Sequence, residues 1–514
     1  MRQLVVCCDG TWQKPHDRTN VHRLAAALAP VDANGHEQRC QYFPGVGATG
    51  LLVTRVTGGV AGKGLSEKVI EAYCWIATTF REGDRISLFG FSRGAYTARS
   101  LAGMISACGL LDLSGMSDRA ARGLVERVYE EKYREGNQAQ PSWRRGLRFA
   151  FDPEQKADIP VRFIGVWDTV GSLGIPDHLG LVNLADSPLR YQFHDVTLNP
   201  CIPHARHAVA LDEFRGPFAP TLWSAPGPGQ DVEQVWFPGD HSDVGGGHRE
   251  TGLSDGALLW MMTEATEAVG LAFDQVAVRA VRADPADRIH GDVRSVSGPA
   301  GWAAEALFQP RPRAVPLLDP RWPNDAAVHA SAYARQQEQG LQDGPYRPTR
   351  RLAPRESATV EVRADDCWTE TGLYLEAGLH RFTAEGSWRS STFESGPAGE
   401  AGGRLLRPRA IGQLVGTLVG RAEEVYRRLT GNRAADFYGA RREETLPWMS
   451  LVGVLANEVS DVPPQQARPH ERIAIGAGVE HDVARPGYLY AFANDAWGFY
   501  GNNSGRVRLT VTRV

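Results

Sequence analysis

Apolar residues in the first two-thirds of the chain come in short unbroken runs, each followed by a polar, glycine-bearing break and a stretch with helical spacing. The runs lie at residues 3–8 (QLVVCC), 41–44, 86–89, 160–167 (PVRFIGVW) and 232–237 (VEQVWF). Continuous rather than alternating apolar runs predict strands buried on both faces of a parallel sheet. Residues 20–28, 65–80, 95–101 and 253–268 carry the intervening helical patterns. This alternation predicts an α/β-hydrolase-like, mostly parallel sheet with helices on both faces, over 1–308. The texture then changes. Residues 309–357 are rich in Pro and Arg (RPRAVPLLDPRWP, RPTRRLAPRE), which predicts a linker packed along the surface. Short strands at 359–363, 378–384, 450–456, 473–475, 488–492 and 507–511, separated by Gly, Asp and Asn, predict an all-β sandwich over 358–514. An insertion at 399–447 interrupts it and carries an amphipathic helical pattern (Ile411, Leu414, Val415, Leu418, Ala422, Val425, Tyr426). Its polar face mixes Arg with Glu, which favours packing on a neighbouring domain over membrane insertion.

Composition narrows the class. A chain of 514 residues with 42% hydrophobic and 23% charged residues has ample core for two or three domains. A net charge of −4 gives no electrostatic case for nucleic acid. Seven cysteines without C-x-x-C spacing, Cys7 and Cys8 side by side, predict thiols in a reducing compartment rather than a disulfide or zinc framework. The apolar run before Asp9 is too brief for a signal peptide, so the chain is expected to be made in the cytoplasm and exported, if at all, without a cleaved signal.

The candidate chemistry centres on Gly90-Phe91-Ser92-Arg93-Gly94, a G-x-S-x-G between a strand-like run and a helical one. Strand, tight turn and helix are the context of a nucleophile elbow, with Ser92 at a strand tip and a helix N-terminus. Asp168 follows the 160–167 strand, where a triad acid is expected; an N-cap or turn aspartate is the alternative. His241 follows the 232–237 strand, in the loop PGDHSDVGGGH. The order Ser…Asp…His is that of the α/β-hydrolases. It makes His241 the general base, with Asp168 fixing its tautomer. His248, His207 and His329 are competing bases, and a metal site of His241, Asp243 and His248 is a weaker alternative. The Asp9-Gly10-Thr11 turn is either an active-site loop or a plain Asx turn. In the first reading the oxyanion donors are the Arg93 N–H and an N–H of the Gly10-Thr11 loop, with Asp9 beside the substrate. The glycine-rich segment at 45–64 lacks the Ser or Thr of a phosphate loop and reads as a mobile loop over the site. In the last hairpin, Asn494 to Gly505 supplies one carboxylate, several amides and glycine turns, which suits either a hard cation such as Ca²⁺ or an ion-free Asn-Gly turn cluster.

Residues 1 to about 350 resemble a bacterial family of serine α/β-hydrolases that includes the type VI secretion phospholipase effectors of the first Tle family. The matching blocks include Asp9-Gly10-Thr11-Trp12, Thr19-Asn20-Val21, Pro44-Gly45-Val46-Gly47, the elbow through Arg99, Gly165 to Val170, Ala210-Leu211-Asp212-Glu213, His241 to Gly247, Leu253-Ser254-Asp255 and Tyr346-Arg347-Pro348. The resemblance implies carboxylic ester hydrolysis, with phospholipids the best-known substrates and no cofactor for the catalytic step. It also implies a secretion-apparatus or immunity partner. The C-terminal part resembles the calcium-dependent galactose lectins of the PA-IL type, chiefly over residues 490–511 and more weakly at Trp368-Thr369 and Gly386-Ser387-Trp388. That likeness implies Ca²⁺ held by Asp495, Asn502 and Asn503 with the carbonyls of Phe499 and Ser391, and a galactose-like glycan bound to the ion. The insertion stands where those lectins carry sugar contacts, so the likeness reaches calcium more directly than galactose. The leading reading is a lipid ester hydrolase with a lectin-like module. A carbohydrate-binding or adhesion protein on a hydrolase scaffold, and a carbohydrate esterase, are the alternatives.

Overall fold

The computed structural model describes residues 1–10, 13, 15–45, 58–155, 158–170, 198–224, 226–291, 310–321, 327–342, 344–400, 442–459 and 466–514. Thr11, most of the glycine-rich loop and the amphipathic pattern at 411–426 lie outside them.

Six strands form a wholly parallel sheet in the order β2-β1-β3-β6-β7-β8. They are β1 (Gln3–Cys8), β2 (Gln38–Phe43), β3 (Arg85–Phe91), β6 (Val161–Trp167), β7 (His204–Ala210) and β8 (Asp231–Phe237). A small hairpin of β4 (Leu110–Leu111) and β5 (Phe149–Phe151) lies off this sheet. Successive side chains of a strand point to opposite faces, so an unbroken apolar run feeds two cores at once. Leu4, Val6 and Cys8 of β1 join Ile86 and Leu88 of β3 on one face, while Val5, Cys7, Phe89 and Phe91 enter the other. The first face is covered by α2 (Gly58–Thr79), α3 (Arg93–Cys108) and α4 (Asp118–Val128), the second by α1 (Asn20–Ala27), α6 (Gly252–Val269) and α7 (Gln275–Ala280). Helix α2 begins at Gly58, so the end of the glycine-rich segment is helical rather than the loop the sequence predicts.

Strand β7 (HARHAVA) is missing from the sequence expectations because three of its residues are His or Arg. It lies between β6 and β8 with Arg206 and His207 almost wholly buried. Arg206 reaches Asp231 and Glu264 at the sheet end, and the His207 ring accepts the Thr169 N–H at 3.1 Å. Each polar group is matched internally, which lets a polar sequence occupy a central strand.

Residues 350–513 build two five-stranded sheets packed face to face. One contains β10 (Ser357–Arg363), β18 (Asn503–Arg513), β12 (Gly378–Ser390), β13 (Phe393–Ser395) and β16 (Gly478–Val483). The other contains β15 (Glu471–Ala474), β14 (Leu451–Ala456), β17 (Gly487–Ala493), β11 (Thr369–Leu375) and β9 (Arg350–Arg351). Phe382, Trp388, Val507 and Leu509 from the first sheet meet Leu373, Leu451, Ile473 and Leu489 from the second in one core. The predicted sandwich is therefore present, with β11 and β16 as strands the turn signals did not reveal.

The Pro/Arg-rich segment departs from its sequence reading. It does not run along the surface: Arg313, Leu318, Tyr346 and Arg347 are all buried, and β9 closes the edge of a sandwich sheet. Val315, Leu318, Tyr346 and the helix α8 (Ala330–Gln337) join Leu211, Phe214 and Trp236 of the α/β part to Trp368, Tyr488 and Tyr490 of the sandwich in one apolar cluster. Arg347 Nε donates to Asp212 Oδ1 at 2.7 Å and Tyr346 Oη to Asp212 Oδ2 at 2.8 Å. Removing one partner of a buried pair leaves the other charge uncompensated, which costs about 3–5 kcal/mol. Arg347→Met is accordingly expected to lower the free energy of unfolding by about that amount, read as a fall in the urea midpoint, whereas breaking the exposed Arg506–Glu361 pair leaves the midpoint unchanged within error.

Candidate active site

The sheet reverses its winding direction between β1 and β3, and in open α/β sheets the crevice at such a switch point lies beyond the carboxyl ends of the strands. Ser92 sits there. Its backbone, at φ 57° and ψ −123°, lies in a region that side-chain-bearing residues rarely occupy. The turn is possible because Gly90 and Gly94, two positions to either side, have no side chains. A Cβ on Gly94 would stand 2.2 Å from the Cys8 carbonyl oxygen, and one on Gly90 2.4 Å from that of Gly94. The Ser92 N–H donates to the Trp167 carbonyl at 3.0 Å, fastening the elbow to the residue before Asp168.

Asp168 also has a positive φ, 35°, and no solvent exposure. Its Oδ1 accepts the Ala210 N–H at 3.0 Å, and its Oδ2 lies 2.6 Å from His241 Nδ1. Arg313 grips both oxygens, Nη1 to Oδ1 at 2.7 Å and Nη2 to Oδ2 at 3.0 Å. Burial opposes the ionised form, yet the Arg313 charge and the bonds from His241 and Arg313 outweigh it and hold the carboxyl well below the usual carboxylate range. An ionised acceptor places the imidazole proton on Nδ1 and leaves Nε2 to take one.

His241 opens a short helix, α5 (His241–Gly245), capped by Asp240 in a reciprocal box with Asp243. Its ring is wedged between Phe91, at 4.6 Å, and Phe218, at 4.9 Å between centroids. Arg215 lies over the Phe218 ring and is paired with Glu213, whose Oε2 faces the His241 N–H at 3.4 Å. Asp168 and His241 thus pair beyond the tips of β6 and β8, while Ser92 stands at the tip of β3, bonded to the Trp167 carbonyl. Among the described residues no hydrogen bond closes from Ser92 Oγ to the imidazole; such bonds commonly tighten only in the Michaelis complex.

The competing histidines are engaged elsewhere. His207 is enclosed in β7 and held neutral, its pKa carried down to about 3 by burial. His329 caps α8 and stacks on Phe237. His248 lies beside Asp240 and His290, apart from Asp168. The alternative metal trio of His241, Asp243 and His248 does not assemble among the described residues: His241 turns Nδ1 to Asp168, and Asp243 and His248 gather with His290 instead.

The Asp9 loop corrects a second expectation. Its carboxylate does not face a substrate but accepts three bonds, from Thr19 Oγ1 at 2.6 Å, Tyr42 Oη at 2.7 Å and the Gly10 N–H at 2.7 Å. The Gly10 N–H is therefore spent on Asp9 and is not an oxyanion donor. The Gly10 backbone still borders the nucleophile, since a Cβ there would lie 3.3 Å from Ser92 Cβ. Thr11, the other loop donor, lies outside the described residues. Arg93 is the first residue of α3, so its N–H heads that helix beside Ser92.

Arg313 is the functional residue that sequence reasoning missed, hidden in a segment with linker composition. The signal available was an Arg ahead of an apolar stretch, Val315 to Leu318, which surface linkers seldom carry.

Around the turn between β17 and β18 the calcium candidates lie together. Asp495 Oδ2 accepts Asn503 Nδ2 at 2.9 Å, Asn502 Oδ1 accepts Ser390 Oγ at 3.2 Å, and the Ser391 N–H donates to the Asn502 carbonyl at 2.9 Å. The Asn502 N–H reaches the Phe499 carbonyl at 3.3 Å. Asn503 Oδ1 is buried with no hydrogen-bond partner among the described residues. Trp448 Nε1 caps Asp495 Oδ1 at 3.0 Å, leaving Oδ2 as the oxygen that could turn to an ion.

Arg313→Met tests the grip on Asp168. A carboxyl whose folded pKa is depressed stabilises the fold fully above its unfolded pKa, near 3.9, and loses that contribution as pH falls toward the folded value. At pH 7 the variant is expected to be less stable by about 3–5 kcal/mol. Urea midpoints at stepped pH should show the gap to wild type narrowing on acidification, as Asp168 of the variant takes up a proton.

Over residues 2–264, just over half of the chain, the sequence matches the family described as the T6SS phospholipase effector Tle1-like catalytic domain. Uncharacterized protein YEL023C of Saccharomyces cerevisiae is 30% identical over 235 residues, 42% of this chain and 32% of the relative, so the chain spans about a third of that relative's length. An uncharacterized protein from Pseudomonas aeruginosa aligns at 18% identity and TM-score 0.33, covering 55% of this chain and 49% of the other. The Tle1 effector bound to the VgrG spike of the type 6 secretion system aligns at 17% identity and TM-score 0.27, covering 49% and 52%. The EclA N-terminal domain, a PllA-like lectin, aligns at 20% identity and TM-score 0.19, covering 30% and 95%. On the extent of the family match, the chain belongs to the Tle1-like phospholipase effector family of the type VI secretion system, through its catalytic domain.

Proposed function

We propose that this protein hydrolyses carboxylic esters of phospholipids, with Ser92 as nucleophile, His241 as general base and acid, and Asp168 as the group that orients the base. The carrying observation is the strained Ser92 elbow standing beside an Asp168–His241 pair made at 2.6 Å. Ser92 Oγ attacks the ester carbonyl as His241 Nε2 takes its proton. The N–H heading α3 at Arg93 faces the developing oxyanion. Collapse expels the lysophospholipid alcohol, which takes the proton back from His241. Water, deprotonated by the same imidazole, then attacks the acyl-Ser92 ester and releases the fatty acid. Family membership supports phospholipid as substrate and export through a type VI apparatus, with a secretion-apparatus or immunity protein as partner. Among the described residues no helix is long and apolar enough to cross a membrane.

Ser92→Ala is expected to lower kcat/KM on mixed phospholipid vesicles by at least about 10³-fold and to abolish fluorophosphonate labelling, with the melting temperature unchanged. Hydrolysis by the variant at the wild-type rate overturns the assignment. Hydrolysis of acetylated sugars in preference to phospholipid replaces the lipid reading with a carbohydrate esterase. Tight sugar binding without labelling replaces it with an adhesion protein.

For the C-terminal sandwich we infer a Ca²⁺ site. The oxygen-rich donor set suits a hard cation, and the orphaned Asn503 Oδ1 beside Asp495 supports the fit. Asp495, Asn502 and Asn503 would hold the ion with the Phe499 and Ser391 carbonyls, Ser391 standing at φ 55°. When bound, such an ion offers sugar hydroxyls a ligand position. Ca²⁺ at a hundredfold excess over its Kd should stabilise EGTA-treated protein by about 2.7 kcal/mol, read as a rise in Tm, and Asp495→Ala should remove the effect.

A further inference from the structure

The turn that carries His241 continues into a second group of side chains that ester hydrolysis does not use. Beyond α5 the chain brings His248 back beside Asp240, with Nε2 3.5 Å from Asp240 Oδ1. That nitrogen is enclosed and has no hydrogen-bond partner among the described residues. The His248 ring lies face to face with His290, with centroids 4.1 Å and planes 18° apart. His290 comes from beyond α7, and both its backbone and its ring address Asp243. The His290 N–H donates to Asp243 Oδ2 at 2.9 Å, and Nδ1 lies 2.7 Å from Asp243 Oδ1. Its Nε2 lies 3.3 Å from Glu250 Oε2. One ligand atom from each of Asp243, His248 and His290 falls within 4.8 Å of the others.

We propose that Asp243, His248 and His290 bind a zinc-class divalent cation, outside the hydrolytic centre. Two imidazole nitrogens and one carboxylate oxygen are the donor set of Zn²⁺, Co²⁺ and Ni²⁺; Ca²⁺ prefers oxygen alone. At metal–ligand distances of about 2.0–2.2 Å, tetrahedral donors stand roughly 3.4 Å apart. The 2.7 Å Asp243–His290 contact would open to roughly 3.4 Å as the metal replaces the shared proton. The His248 ring would tilt out of its stack so that its nitrogen points at the same ion. Glu250 faces the other ring nitrogen, Nε2, and would steady the His290 ring by accepting its proton, leaving the fourth position of the ion to water. His290 is distant in sequence from the other two ligands, so the ion would tie the His241 turn to the segment at 290. The attachment point is Asp243, which accepts the Asp240 N–H at 3.0 Å in the capping box of that turn.

The test uses the full chain, stripped with EDTA, dialysed, and titrated with Co²⁺ and then Zn²⁺. Wild type is expected to take up one equivalent of Co²⁺ with visible d–d absorption, to exchange it for Zn²⁺, and to melt at higher temperature with Zn²⁺. Asp495→Ala should behave as wild type, which separates this site from the C-terminal one. His290→Ala and His248→Asn should each weaken Zn²⁺ binding at least tenfold, the lower bound for losing even an outer partner of a metal ligand being about tenfold. His248 is 30% exposed, so its variant carries the test if His290→Ala fails to fold by far-UV circular dichroism. Absence of Co²⁺ and Zn²⁺ binding in wild type, or undiminished binding by folded His248→Asn, overturns the proposal. Neither outcome bears on ester hydrolysis at Ser92.

Discussion

A fully buried carboxylate at the tip of β6 imposes the strongest constraint on this protein. A lone ion in a protein interior is driven to neutralise or to find partners, because the lost hydration is worth several kcal/mol. Asp168 finds partners from three separate stretches of chain: the Ala210 amide after β7, the His241 ring after β8, and both Arg313 terminal nitrogens. Arg313 in turn donates to the Ala210 and Phe218 carbonyls. The ends of three strands, β6, β7 and β8, and the segment leading to the sandwich therefore fold around one charge. The bland alternative for such an aspartate, an N-cap or turn residue, would not require an arginine from so far along the chain.

That anchor also explains how two strained residues persist side by side. Ser92 and Asp168 both have positive φ, at a cost of order 1–3 kcal/mol each. The Ser92 N–H bonds to the Trp167 carbonyl, so the elbow and the carboxylate turn share one hydrogen bond and neither relaxes alone. Large buried residues on both sides, Phe89, Phe91, Phe163 and Trp167, fix the strands from which these turns project.

What was legible in the sequence is what steric rules and periodicity write locally. The two glycines of the elbow mark a close approach of backbones, and a Cβ at either would collide with a carbonyl oxygen. Strands whose apolar runs are continuous were legible to within a residue or two, whereas the expectation for β2, which opens on Gln38-Arg39-Cys40, began three residues late. Strand β7 was not, because Arg206 and His207 look like surface residues until their partners on β8, on α6 and at Thr169 are known. Arg313 failed to show for a related reason. Composition describes an average environment, whereas a single buried arginine is defined by the carboxylate it meets, here 145 positions away in the sequence. The same holds for His290, which only the fold brings to Asp243. Asp9 errs the other way: a D-G-T turn after a strand reads as a site loop, yet its carboxylate is consumed by Thr19, Tyr42 and Gly10.

The Arg313 contact limits how the two halves of the chain can be regarded. The Arg313 guanidinium takes both oxygens of Asp168 while Oδ2 also meets His241 Nδ1, so one contact fixes the carboxylate and, through it, the orientation of the ring. That arginine sits two residues before Val315, which packs in the same apolar cluster as Trp368 and Tyr490 of the sandwich. Leu318 extends the tie, its N–H donating to Tyr488 Oη at 2.8 Å. A module joined by a flexible tether would raise local substrate concentration and leave the chemistry untouched. Here the segment that would be the tether holds Asp168 through Arg313, and its far side packs with the sandwich. The sandwich therefore meets the Asp168–His241 pair through continuous packing rather than through proximity alone.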